Sequence, residues 1–146
     1  MIYMVEITSS KIDIQKVVES VASEQSGGMS VFIGTTRNHS HGKQVRGLEY
    51  EAYEPMALKI MERLVQQAGE TWRINASIVH RIGNVPVGEA SVVIAVASAH
   101  RDEAFKACRF LIDELKRVVP IWKREHFEDG TVEWSRQTHE QVEIQK

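Results

Sequence analysis

With 146 residues, 42% of them apolar and 26% charged, the chain has the size and composition of one soluble domain able to bury a core. Its net charge of −2 argues against general binding to nucleic acid or an anionic membrane, so any cationic site has to be local. The single cysteine, Cys108, excludes an internal disulfide framework and fits a reducing, cytoplasmic setting.

The opening MIYMVEITSS has no basic start followed by a long apolar run, so no signal peptide is expected. No uncharged apolar stretch approaches the roughly 18 residues of a membrane span. The first element is a short strand over 2–7. A helix over 13–24 follows, with Ile14, Val17, Val18, Val21 and Ala22 on one face. Ser26-Gly27-Gly28 is a turn. A buried strand, 30–34, runs into the polar loop Thr35-Thr36-Arg37-Asn38-His39-Ser40-His41-Gly42-Lys43, the segment best suited to movement. The strand 48–53 alternates Leu48, Tyr50 and Ala52 against Glu49 and Glu51. Glu54-Pro55 starts a helix whose stripe is Ala57, Ile60, Met61, Leu64, Val65 and Ala68, with Gly69 just beyond it.

A strand over 76–81 is followed by the link IGNVPVGE, punctuated by Gly83, Pro86 and Gly88. The run 91–97 is almost wholly apolar and β-branched, as a central strand requires. Next comes an amphipathic helix with apolar residues at 104, 108, 111, 115 and 118, flanked by 105, 112 and 119. Pro120 pushes Val119 out of helical geometry, so this helix ends near Val118. A strand over 121–127, an Asp129-Gly130 hairpin turn and a strand over 131–135 complete the order, with a polar tail over 136–146. The expectation is a single α+β domain over 1–146 with mixed sheet pairing.

The chemistry concentrates at the ends of these elements. His100-Arg101 stands where the central strand ends, Lys116 in the last helical turn, and Lys123-Arg124-Glu125 on the strand folding back beside it. Taken singly, Lys116 and Lys123 read as ordinary solvated lysines, and Arg37-Asn38-His39 as a polar turn. Together, Lys116, Lys123, Arg124, His100 and Arg101 are expected within reach of one pocket. Like charges so gathered repel unless an anion or a proton-transfer role compensates. Arg37 belongs to the kind of loop in which guanidinium forks hold phosphate. Cys108 lies on the apolar seam of its helix and reads as an inert core thiol. His39 and His41 show no metal-ligand spacing and no nearby Cys or carboxylate, so no metal is expected. Nucleotide-binding glycine motifs and a G-x-S-x-G elbow are absent. These residues by themselves point to a small domain with a cationic, lysine-bearing anion pocket.

Five strings, VFIGTTRNHS, LEYEAYEPMA, VHRIGNVPVGE, SAHRDEAF and VPIWKRE, in this order and spacing, carry a resemblance to the large, catalytic subunits of molybdopterin synthase. The resemblance spans about 31–136. It implies an α/β-hammerhead fold and sulfur transfer in molybdenum-cofactor biosynthesis. The substrate would be a cyclic pyranopterin monophosphate and the product the dithiolene of molybdopterin, with no cofactor. The sulfur would come from the C-terminal thiocarboxylate of a small ubiquitin-like partner whose Gly-Gly tail enters the pocket. Two large subunits would form a homodimer within a heterotetramer.

By the same resemblance, Lys116 and Lys123 are the working lysines. His100, Arg101, Arg37, Arg124 and Glu125 surround the substrate, with Thr35 and Thr36 beside them, and Arg136 matches an arginine supplied by the neighbouring protomer. Thr35 departs from the basic residue or histidine many relatives carry there, so a hydroxyl would have to serve. Two other classes stay open. One is a docking module for a ubiquitin-like protein without chemistry of its own. The other is a polyanion patch along 116–124, which the net charge and the scarcity of interleaved aromatics disfavour.

Overall fold

Residues 2–136 are described by the computed structural model, the last two by their backbone alone. The tail beyond 136 and the Arg136 side chain, with the role expected for it, lie outside the described residues. Two sheets share one core. The first holds β1 (Tyr3–Thr8), β5 (Asn75–Arg81), β7 (Ala90–Ser98) and β2 (Gly28–Thr35), in that order. Its β1–β5 pair is parallel, while β5–β7 and β7–β2 are antiparallel. The second runs β3 (His39–Ser40), β4 (Lys43–Ala52), β8 (Ile121–Phe127), β9 (Val132–Arg136), with β6 (Gly83–Pro86) on β4. The chain is α+β with mixed sheet pairing, as its patterning predicts. No helix among the described residues is long and apolar enough to cross a membrane.

The β-branched run of β7 is buried along almost its whole length because helices cover both faces of its sheet. One face packs on α1 (Ile14–Val21), whose Val17 and Val21 meet Val79, Val93, Ala95 and Ala97. The other face packs on α2 (Glu54–Trp72) and α3 (Arg101–Val118). There Ile78, Ile94, Met61, Leu111 and Leu115 join Tyr50, Ile121 and Phe127 of the second sheet. Truncating a fully buried side chain such as Met61 to alanine costs about 2–5 kcal/mol.

Several boundaries differ from the sequence reading. Helix α1 is capped by the Asp13 carboxylate, which accepts from the Lys16 amide, but it ends at Val21 because Ala22 is already extended. Helix α2 runs through Gly69 to Trp72, whose ring meets Phe110 of α3 edge-on at 5.4 Å and anchors the last turn. Arg73, left-handed at φ 54°, closes it. The 82–89 link contains β6, whose Val85 is fully buried opposite Leu48. Phe105, placed beside the apolar stripe of α3, is 58% exposed. Helix α3 does stop at Val118 before Pro120, and strand β8 has the expected limits. Because α3 runs antiparallel to β7, its last turn returns to the Val92 end of the sheet.

Candidate functional site

A cavity of about 200 Å³ opens where α3 ends, between the two sheets. Strand alternation decides what faces it. Tyr50 is paired with Lys123, and Leu48 with Glu125, across β4–β8, and all four line the cavity. Lys116 reaches it from the last turn of α3, where the helix dipole favours a cation. Phe32, Gly34 and Thr35 from the end of β2, and Ser91 and Val92 from the start of β7, form the opposite wall. A β-bulge at Gly34/Thr35 re-aims this end of β2. Gly34 is dictated by close approach, since a Cβ there would lie 2.8 Å from Val92 Cγ1. The Ser91 hydroxyl donates to the Gly34 carbonyl at 3.3 Å.

The polar segment 35–43 closes into a hairpin. His41 and Gly42 both have positive φ (52° and 75°), as the two central residues of a type I′ turn require, and they place His39 and Ser40 on β3. Arg37, His39 and Ser40 line the cavity from that side. Thr36 does not. It is buried, with its amide donating to Glu89 and its carbonyl accepting from Gly88, and its hydroxyl has no hydrogen-bond partner.

Lys116, Lys123, Arg37, Thr35 and Glu125 are therefore brought together, and besides Thr36 three expected neighbours are not. Arg124 lies on the opposite face of β8 because side chains alternate along a strand. It donates to Glu49 at 2.7 Å and stacks over Trp134 at 4.6 Å. His126 also reaches Glu49, at 3.1 Å, and these hydrogen bonds, that from His126 first, hold the Glu49 carboxyl below its usual range. This split of the basic run across two faces also weakens the polyanion-patch reading. His100 and Arg101 line a separate shallow hollow with Gly27 and Phe105 at the start of α3. At about 1.5 Å per residue, the two ends of this 18-residue helix stand about 25 Å apart, so one chain cannot bring them to Lys116. Gly27 and Gly28 serve that end: a Cβ on Gly27 would lie 2.3 Å from the Ala99 carbonyl.

A further correction concerns His41. Two carboxylates approach it from strands distant in sequence: Glu125 Oε1 is 3.7 Å from its Nε2, and Glu133 faces Glu125 across β8–β9. Ligand atoms of these three residues lie within 4.8 Å of one another. Cys108 is buried among apolar side chains as expected, and burial pushes its thiol up. Tyr50, Ser91 and Gly34 were not singled out from sequence; the alternation of LEYE, which puts Tyr50 on the Leu48 side, was the available signal for the first.

The pattern of the MoaE protein family matches residues 7–118. The chain belongs to the MoaE family. A molybdopterin synthase catalytic subunit of Culex quinquefasciatus is 46% identical over 127 residues, covering 86% of this chain and 81% of the relative. The crystal structure of molybdopterin synthase from Staphylococcus aureus superposes with a TM-score of 0.85 at 38% identity, covering 89% of this chain and 95% of that one. Subunits 1 and 2 of molybdopterin-converting factor from Helicobacter pylori form a complex containing a chain of the same fold (TM-score 0.76, 20% identity, 90% of each chain covered). The strings that carried the resemblance, from VFIGTTRNHS to VPIWKRE, thus belong to a MoaE member in which Lys116 and Lys123 line one cavity.

Proposed function

We propose that this chain is the catalytic subunit of a molybdopterin synthase. It takes sulfur from the C-terminal thiocarboxylate of a small ubiquitin-like partner and installs it on cyclic pyranopterin monophosphate, forming the dithiolene of molybdopterin. The observation that carries the reading is the convergence of Lys116 and Lys123, from consecutive elements, on one cavity that also holds Arg37. Substrate phosphate and donor thiocarboxylate are both anions, and the cavity offers three cationic side chains against the single carboxylate of Glu125.

Arg37, with Thr35 and Ser40 beside it, suits the phosphate. One of Lys116 and Lys123 serves as general acid-base as sulfur adds to the pterin side chain, and the other polarises the thiocarboxylate carbonyl. The Gly-Gly tail enters along the seam between the end of α3 and β8, which these lysines flank. Glu125 orients groups on the pocket side of β8, Lys123 and His41 among them.

His100 and Arg101 serve the same pocket only if a second copy of the chain brings them, which fits a homodimer within a heterotetramer. The assay is product formation with intact partner and with partner lacking its terminal Gly-Gly. Turnover requires the intact tail under this reading, and full turnover with the trimmed partner contradicts it. A docking module without chemistry would show unchanged product formation on replacement of either lysine.

A further inference from the structure

His80 is fully buried on β5, behind the catalytic pocket rather than in it. Its partner in register, Val92, lines the pocket wall, and its ring meets Tyr50, another lining residue, edge-on at 5.1 Å. It projects to the face covered by α2 and α3, as do Ile78 and Ile94 on the same two strands. That end of the sheet is where α3 delivers Lys116. Nδ1 of His80 lies 2.8 Å from the Arg81 carbonyl. A carbonyl only accepts, so Nδ1 carries the ring hydrogen and Nε2 presents a lone pair. An imidazole held this way inside a largely apolar core is costly unless its second nitrogen is also used.

We propose that His80 is a positioning residue for Lys116: its neutral imidazole, fixed by the Arg81 carbonyl, turns Nε2 toward the ammonium of Lys116 and accepts a hydrogen bond from it. The proposal rests on the reading of Lys116 as a working lysine. Burial, and after it the positive charge of Lys116, pushes the imidazole down to about 4, against the pull of the Arg81 carbonyl. The ring therefore stays neutral near neutral pH and remains an acceptor. A neutral acceptor favours the ammonium form of lysine and fixes its direction, which the nearby cations Lys123 and Arg37 would otherwise disturb.

Two substitutions separate the halves of the ring. His80→Asn retains a donor near the Nδ1 position; His80→Gln carries an acceptor near the Nε2 position. The structure assigns the functional half to Nε2. His80→Gln should thus keep kcat within about threefold of wild type, while His80→Asn, folded and binding partner normally, loses about 10- to 100-fold in kcat with little change in KM. Equal activity of the two, or a better Asn variant, overturns the proposal. If either variant fails to fold, ¹⁵N NMR of histidine-labelled wild-type, Lys116→Met and Tyr50→Phe proteins decides. Nε2 of His80 should show a hydrogen-bonded, unprotonated shift that moves in Lys116→Met and stays in Tyr50→Phe. A shift that moves only in Tyr50→Phe overturns it. This readout needs no turnover, so a missing His80–Lys116 coupling is distinguishable from a Lys116 that does no chemistry.

Discussion

Tyr50 and Lys123 stand directly opposite each other across β4–β8, and both turn into the same cavity. The register of that pair decides which side chains of Lys123-Arg124-Glu125 face the cavity. A slip of one residue would bring Arg124 inward and send Lys123 to the Glu49 face. The cavity's charge is thus a property of strand pairing as much as of residue identity.

The lysines and the arginine should differ in kinetics. Arg37 is proposed to hold phosphate throughout, so Arg37→Ala mainly raises KM. Lys116 and Lys123 are proposed to act on charge or protons that appear as sulfur adds. Lys116→Met and Lys123→Met each keep the stem's packing and should lower kcat by about 10²-fold or more. Near-normal kcat with raised KM in both would make them anion holders only.

Subunit mixing tests the contribution of a second copy. An Arg101→Ala chain and a Lys116→Met chain are each expected to be poorly active alone. Their heterodimer retains one intact pocket, so mixing after partial denaturation and refolding should restore activity toward about a quarter of wild type, the share set by random pairing and one good site in two, if exchange is complete. No gain on mixing, with heterodimer formation verified by mass, contradicts the shared site.

Much of this was legible in the sequence. Pro120 fixed the end of α3, and the apolar run of β7 marked a central strand, because both effects are local. The pocket lysines were likewise legible, lying at neighbouring ends of consecutive elements. What escaped depended on three-dimensional alternation and length. Arg124 follows Lys123 in sequence yet points to Glu49, and His100 is separated from Lys116 by the full length of a helix. The His41-Gly42 turn and β6 depend on pairing with β4, a partner the local pattern does not name. His80 reads as a polar residue after the apolar Ile78-Val79 pair, and its contact with Tyr50 depends on β4, a strand remote in sequence.

The buried His80 ring gives stability a specific pH dependence. Its ordinary value is 6.5 and its folded value about 4, so between these the unfolded chain binds a proton that the folded chain does not. The stability it contributes is complete above pH 6.5 and declines as pH falls through the window. Tyr50 from β4, Lys116 from α3 and the Arg81–Glu89 ion pair beside it on the first sheet set its surroundings. Urea unfolding at pH 7.5 and pH 5 should differ by about 2 kcal/mol more in wild type than in His80→Gln, at about 1.4 kcal/mol per pKa unit. Identical pH dependence in the two proteins would contradict a neutral buried ring.

Gly34 tests the pocket wall. A methyl group there meets Val92 Cγ1 at 2.8 Å, with Phe32 and Ser91 also within 4 Å. Gly34→Ala should destabilise the fold by about 1–3 kcal/mol and raise KM as the wall shifts. Full stability with unchanged KM, by thermal unfolding and steady-state kinetics, would show that the wall yields freely.

The most direct measurement is reconstitution. The purified chain is incubated with thiocarboxylated small partner and cyclic pyranopterin monophosphate, and the product is assayed for a dithiolene. The account predicts dithiolene formation with wild type and its loss with Lys116→Met and Lys123→Met, while both variants still bind partner. Partner binding by wild type without any dithiolene product would contradict it and leave a docking module in its place.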